Sequence, residues 1–188
     1  MNPPTDYRMF NYDRSLVPSK WIQVHEDTPA IGLSIGYPGW GLLYYAVMSH
    51  LLADKYNTIL EIGTNHGTST IILAEALIAS RRKGRVITIE KDGLISAVAD
   101  DHFKEAGVFD YIEQVVCSSN DFWLTHCPAV DIAFIDGSHD SPDVVDDFYH
   151  ILGFLNPGGL IIFDNTTMGG VCDALKIIKA KHGGNFVE

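Results

Sequence analysis

The chain predicts an α/β fold built on a doubly wound, mostly parallel sheet. Apolar runs of strand composition recur over 58–62, 85–89, 111–116, 130–135 and 159–163. Segments with helical spacing separate them, over about 68–82, 93–106, 119–125, 141–154 and 170–182. The runs are continuously apolar rather than alternating, as expected of strands covered on both faces.

In chain order, residues 1–30 carry prolines at 3, 4, 18 and 29 and the aromatics Tyr7, Phe10, Tyr12 and Trp21. They read as an arm or lid ahead of a single domain over 31–188. Gly39-Trp40-Gly41 then leads into helical spacing from Leu42 to Tyr56. The basic run Arg81-Arg82-Lys83 falls where the second helix should end, and is expected to complement its dipole. The turn Asn156-Pro157-Gly158-Gly159 precedes the last apolar run, Leu160 to Phe163. Gly183-Gly184-Asn185-Phe186-Val187-Glu188 reads as a turn and the first residues of a further strand. The sheet is therefore expected to be short of its last strand. Either the domain is truncated at its carboxyl end, or another chain covers the bare edge, and a homo-oligomer is expected.

A chain of 188 residues with 46% hydrophobic and 20% charged content fits one soluble domain with a sizeable core. A net charge of −11 argues against a nucleic-acid partner, which wants a basic face. No apolar stretch approaches the length of a membrane span. The polar, proline-bearing start does not resemble a secretory leader, and three cysteines without a C-x-x-C pair form no disulfide framework. A reducing, cytoplasmic setting is expected.

The chemistry gathers at predicted strand ends. Asp136 closes the run Ile132-Ala133-Phe134-Ile135, while Asp164 and Asn165 close Leu160-Ile161-Ile162-Phe163. In a parallel sheet these ends open into one crevice, where ligands bind. Three oxygen donors meeting there suit a hard cation such as Mg²⁺. Upstream, Glu61-Ile-Gly63-Thr64-Asn65-His-Gly67-Thr-Ser69 reads as strand, glycine turn and helix start. Such a loop can hold a carboxylate or a phosphate on free helix amides. It departs from the dinucleotide pattern G-x-G-x-x-G because Asn65 stands between the glycines. Glu90 ends the strand Val86 to Glu90, where an acid can accept both hydroxyls of a ribose. Ser119 and Asn120 follow the third strand and are placed to cap a helix and to meet a base edge. His139 lies just past Asp136 and is a candidate base, a metal ligand or a surface imidazole among the eight histidines.

Taken in order, Glu61 to Ser69, Ile87 to Glu90, Val115 to Asp121, Phe134-Ile-Asp136 and Pro157 to Thr166 resemble class I S-adenosylmethionine (SAM)-dependent methyltransferases. The likeness is strongest to cation-dependent O-methyltransferases of the catechol and caffeoyl-coenzyme A type, and Ile-Asp136-Gly-Ser-His139 is similar to a bacterial group modifying natural products and sugars. It covers about residues 35–180 and implies a Rossmann-like sheet. It further implies that Glu61, Gly63 and Ser69 lie around the methionine part of the cofactor, and that Thr64, Asn65 and Gly67 also bind the cofactor. Glu90 would bind its ribose, Ser119 and Asn120 its adenine, and Asp136, Asp164 and Asn165 a divalent cation, with Asp136 also reaching the cofactor. That family places a lysine where this chain has His139, and its sheet carries two further strands.

The expected activity is metal-assisted methyl transfer from SAM to a hydroxyl of a small molecule, with Asp136 and His139 as catalytic groups. The competing readings are a catalytically inactive SAM-binding partner protein, a metal-independent methyltransferase, and a nicotinamide oxidoreductase on the same sheet.

Overall fold

The computed structural model describes residues 39–183. The expected arm and the residues after Gly183 lie outside them.

Helix α1 (Gly39–His50) opens the described chain. Five strand–helix units follow it. These are β1 (Asn57–Ile62) with α2 (Thr68–Ser80), β2 (Gly84–Glu90) with α3 (Gly93–Glu105), and β3 (Ile112–Val116) with α4 (Ser119–Thr125). The last are β4 (Val130–Ile135) with α5 (Ser141–Phe154), and β5 (Leu155–Phe163) with α6 (Gly169–His182). All five strands are parallel, in the order β3-β2-β1-β4-β5. The order reverses beside β1, and that is where an open α/β sheet leaves its crevice.

Strand residues point alternately to two cores, which explains why the strands are apolar throughout. Ile59, Val86, Ile132 and Phe134 pack with Trp40, Leu43 and Val47 of α1 and with the apolar side of α2. Leu60, Ile87, Ala133 and Ile135 pack on the opposite face with Phe122, Phe148, Ile151 and Ile178.

Several boundaries differ from expectation, each for a local reason. α1 begins at Gly39 and ends at His50, since 51–56 form the turn into β1. α2 stops at Ser80 because Arg81 takes a left-handed conformation, φ 56°, and its N–H returns to the Ile78 carbonyl. The basic run thus follows the helix instead of lying in its last turn. The cap of α4 is Ser118, whose Oγ accepts from Asp121 N at 3.1 Å, so Ser119 and Asn120 are the first helical residues. β5 starts before the expected turn, at Leu155. Val130 pairs with Leu155 and Ile132 with Leu160, so Asn156 to Gly159 bulge out of the ladder. Pro157 lacks an N–H and Gly158 sits at φ 80°, both suited to a bulge.

Asp131 ties the amino-terminal ends of the strands together. It accepts from Thr58 N at 2.9 Å and from Asn156 Nδ2 at 2.7 Å, and pairs with Lys55. Burial acts to raise its pKa, but Lys55, Thr58 and Asn156 outweigh it and hold the carboxyl below its ordinary value of 3.8. Its stabilising contribution is present above that value and is lost as pH falls through the lower folded-state pKa. Asp131→Ala is expected to cost about 2–4 kcal/mol in a denaturant melt at pH 7, because three partners lose their acceptor. A loss under about 0.5 kcal/mol, the range of ordinary surface substitutions, would show that solvent replaces the carboxylate.

Candidate functional site at the carboxyl ends of the strands

The ladder sets the site. Ile62 pairs with Ile89 and Ile135, and Ile135 with Phe163, so Glu90, Asp136 and Asp164 emerge together at one edge. Hydrogen bonding continues past the strands. Asp136 N donates to Ile62 O at 2.9 Å, Asp164 N to Ile135 O at 3.1 Å, and Gly63 N to Ile89 O at 3.0 Å. These bonds orient the loop residues before any side chain contributes.

A crevice of about 430 Å³ opens there. Gly63, Asn65, Glu90, Ser119, Asn120, Asp136 and His139 line it. The expected cofactor residues Glu61, Thr64, Gly67 and Ser69 are buried and are not among its lining residues. Glu61 is fully buried and accepts from Thr88 Oγ1 at 2.5 Å and from Thr70 Oγ1, while Thr64 and Thr88 share a 2.6 Å hydroxyl bond. Its Oε1 has no partner. Burial pushes the Glu61 carboxyl up to about 7 against the hydroxyls of Ser69, Thr70 and Thr88, with the charge of Glu90 adding to the rise. This network fixes the floor of the loop.

Above it, Glu90 uses both oxygens. Oε2 accepts from Asn65 N at 2.9 Å and Oε1 from Asp92 N at 3.0 Å. Asn65 itself holds φ 47°, a left-handed value that asparagine tolerates better than most residues. Gly63, at φ 98°, lies directly on the next strand, and a Cβ there would come 2.2 Å from the Asp136 carbonyl oxygen. Only glycine allows this contact. The loop carrying His139 is held in the same way. A Cβ at Gly170, in the first turn of α6, would come 2.1 Å from the His139 carbonyl oxygen.

Asp136, Asp164 and Asn165 converge. Asn165 Nδ2 donates to Asp136 Oδ1 at 3.2 Å and to Asp164 Oδ2 at 3.1 Å, from a residue at φ 52°. Burial, then the neighbouring charges of Asp164 and Glu61, push the Asp136 carboxyl up to about 8 against the Asn165 bond. Among the described residues no cluster of three or more His, Cys, Asp or Glu side chains suits a metal ion, so the third donor here would be the Asn165 amide. Turned over, that amide presents its oxygen between the two carboxylates, and the set then fits a hard, oxygen-preferring cation.

Residues 60–166 match the family described as a methyltransferase domain. The chain belongs to this methyltransferase family. The chain is 35% identical over 146 residues to a catechol O-methyltransferase of Niastella koreensis, covering 76% of this chain and 61% of that protein. It is 34% identical over 119 residues to a catechol O-methyltransferase of Mycobacterium tuberculosis, covering 63% and 52% respectively. The methyltransferase chain thus spans little more than half the length of these two relatives. Its fold matches the O-methyltransferase TomG of Streptomyces achromogenes, involved in tomaymycin synthesis and solved with SAM. That match has a TM-score of 0.70 and 28% identity over 93% of this chain and 80% of that one.

Sequence reasoning missed Ile62, Ile89 and Ile95, which supply apolar wall, and Asp147 of α5. Its signal was nonetheless present. Asp147 falls on the stripe Val144, Asp147, Phe148, Ile151, at the spacing of a buried helical face.

Proposed function

We propose that this methyltransferase chain transfers a methyl group from SAM to a hydroxyl of a small, catechol-type acceptor, assisted by a divalent cation. The observation that carries the reading is the convergence of Asp136, Asp164 and Asn165 beside a crevice that also holds Glu90. The names of the two catechol O-methyltransferases and the SAM complex of TomG support it.

SAM would supply an electrophilic methyl group on a sulfonium. Glu90 would accept the ribose hydroxyls, and Ser119 and Asn120 would face the base. The carboxylates Glu90, Asp143 and Asp147 line the crevice against Lys91, a balance that favours a cationic ligand. A cation held by Asp136, Asp164 and Asn165 would polarise the acceptor oxygen as a Lewis acid. His139, which lines the crevice with Asp136, would take the acceptor's hydroxyl proton on an imidazole nitrogen. The Gly63 contact holds the β1–α2 loop against Asp136 and the Gly170 contact holds the His139 loop against α6, which would fix donor and acceptor relative to each other. We also propose that a second copy of the chain covers β5, which pairs with β4 alone among the described strands.

The test is transfer of isotope from methyl-labelled SAM to catechol, with and without EDTA. Transfer that stops with EDTA and returns with Mg²⁺ is expected. Transfer indifferent to EDTA would favour a metal-independent methyltransferase, which the absence of a three-carboxylate cluster among the described residues would then explain. Binding of SAM without transfer to any hydroxyl acceptor would favour the inactive cofactor binder.

A further inference from the structure

Helix α5 buries a carboxyl on an otherwise apolar stripe. Asp147 is 3% exposed, between Val144 and Ile151 on the core face, and it opens into the crevice. It lines the crevice with Ser118, Ser119, Asn120 and Glu90, and Cys117 N donates to Glu90 O at 2.9 Å, so the Ser118 segment lies beside Glu90. Its interaction partners are the Ser119 hydroxyl, Asp143 and Asp146 on its own helix, and His150 one turn on. No lysine or arginine is among them. Burial pushes its pKa up to about 6 despite the Ser119 bond and the favourable charge of His150, with Asp143 and Asp146 adding to the rise.

A buried carboxylate has about four acceptor positions, and leaving them empty is costly. One hydroxyl does not fill them. The helix-capping role nearby is already taken by Ser118, so α4 does not require Asp147 for that purpose. Because Asp147 lines the crevice, a donor brought by the ligand can reach the positions Ser119 leaves open. The ribose acceptor Glu90 fixes the direction in which a nucleoside would extend, toward Ser119 and α5.

We propose, on the SAM reading above, that Asp147 reads the base of the cofactor by accepting a hydrogen bond from its exocyclic 6-amine. An ionised carboxylate only accepts, so it matches an amino group and opposes a keto oxygen at the same edge. Asp147 thereby makes the crevice selective for 6-aminopurine over 6-ketopurine nucleosides. A site built around a polar partner rejects the analogue lacking it far more strongly than an apolar wall does.

Calorimetric binding of S-adenosylhomocysteine and of its 6-keto counterpart, S-inosylhomocysteine, tests this without turnover. Wild type should favour the amine by on the order of tenfold to a hundredfold, the usual value of a hydrogen bond to a charged group. Asp147→Asn should narrow the ratio to within about threefold, because an amide can donate to the keto oxygen. Asp147→Ser is the second variant, with the same expected narrowing, should the first fail to fold. Equal binding of both ligands by wild type would overturn the proposal. So would a variant that keeps the preference, or one that weakens both ligands alike, which is the signature of a structural role. If wild type binds neither compound, the cofactor reading itself fails.

Discussion

Asp164→Ala should lower kcat/KM for methyl transfer by on the order of a thousandfold, while S-adenosylhomocysteine affinity changes by less than about threefold. The side chain meets Asn165 and the charge on Asp136, and it stands outside the crevice wall that Glu90 and Ser119 form. Removing it takes one oxygen donor from the cation and leaves the cofactor end of the crevice intact. Asp164→Asn, which keeps an oxygen, should fall between wild type and alanine. Both parameters are read from initial rates and calorimetry on one preparation. Full turnover in the alanine variant would dispose of the metal centre, and a parallel loss of cofactor affinity would move Asp164 to the cofactor site.

Glu90→Ala should abolish the rise in melting temperature that S-adenosylhomocysteine gives wild type. A ligand that binds only the folded state stabilises it by mass action, and losing an acceptor for two hydroxyls costs roughly a hundredfold or more in affinity. The effect is compounded by the hydrogen bonds Glu90 makes within the protein. The same carboxylate holds Asn65 N and Asp92 N, so alanine also frees the turn between β1 and α2. Glu90→Gln separates the two contributions, because one amide oxygen can still hold Asn65 while the paired ribose acceptor is lost. An unchanged thermal shift in the alanine variant would remove Glu90 from the ribose site.

The parallel sheet was legible because strands covered on both faces have no polar alternation to disguise them. Asp136, Asp164 and Asn165 were legible for a related reason. Each follows directly on an apolar run, and parallel pairing brings such ends together whatever the helices do. The bulge at Asn156 to Gly159 was not, because proline and glycine signal a turn locally, while it is the pairing of Leu155 with Val130 that extends the strand upstream. Asp147 was overlooked for the opposite reason. In the run Asp146-Asp147 the charges look like a solvated surface, and only the helical phase set by Val144 and Ile151 turns one of them inward. Capping by Ser118 instead of Ser119 or Asn120 is a one-residue shift that consecutive serines leave undetermined until the end of β3 is known.

The edge that carries Glu90, Asp136 and Asp164 hangs from the backbone ladder, and this separates two kinds of change during divergence. Exchanging loop residues away from the cofactor end remodels who enters the crevice without moving Glu90, Asp136 or Asp164 relative to one another. Deleting one residue inside β4 does the reverse. It moves Asp136 into the buried place of Ile135, on the other face of the sheet, and brings Gly137 to the rim. Acceptor choice is therefore free to drift by point substitution, whereas the reaction chemistry is guarded by strand length. A library that varies loops at fixed strand length should be rich in altered acceptors and poor in dead scaffolds.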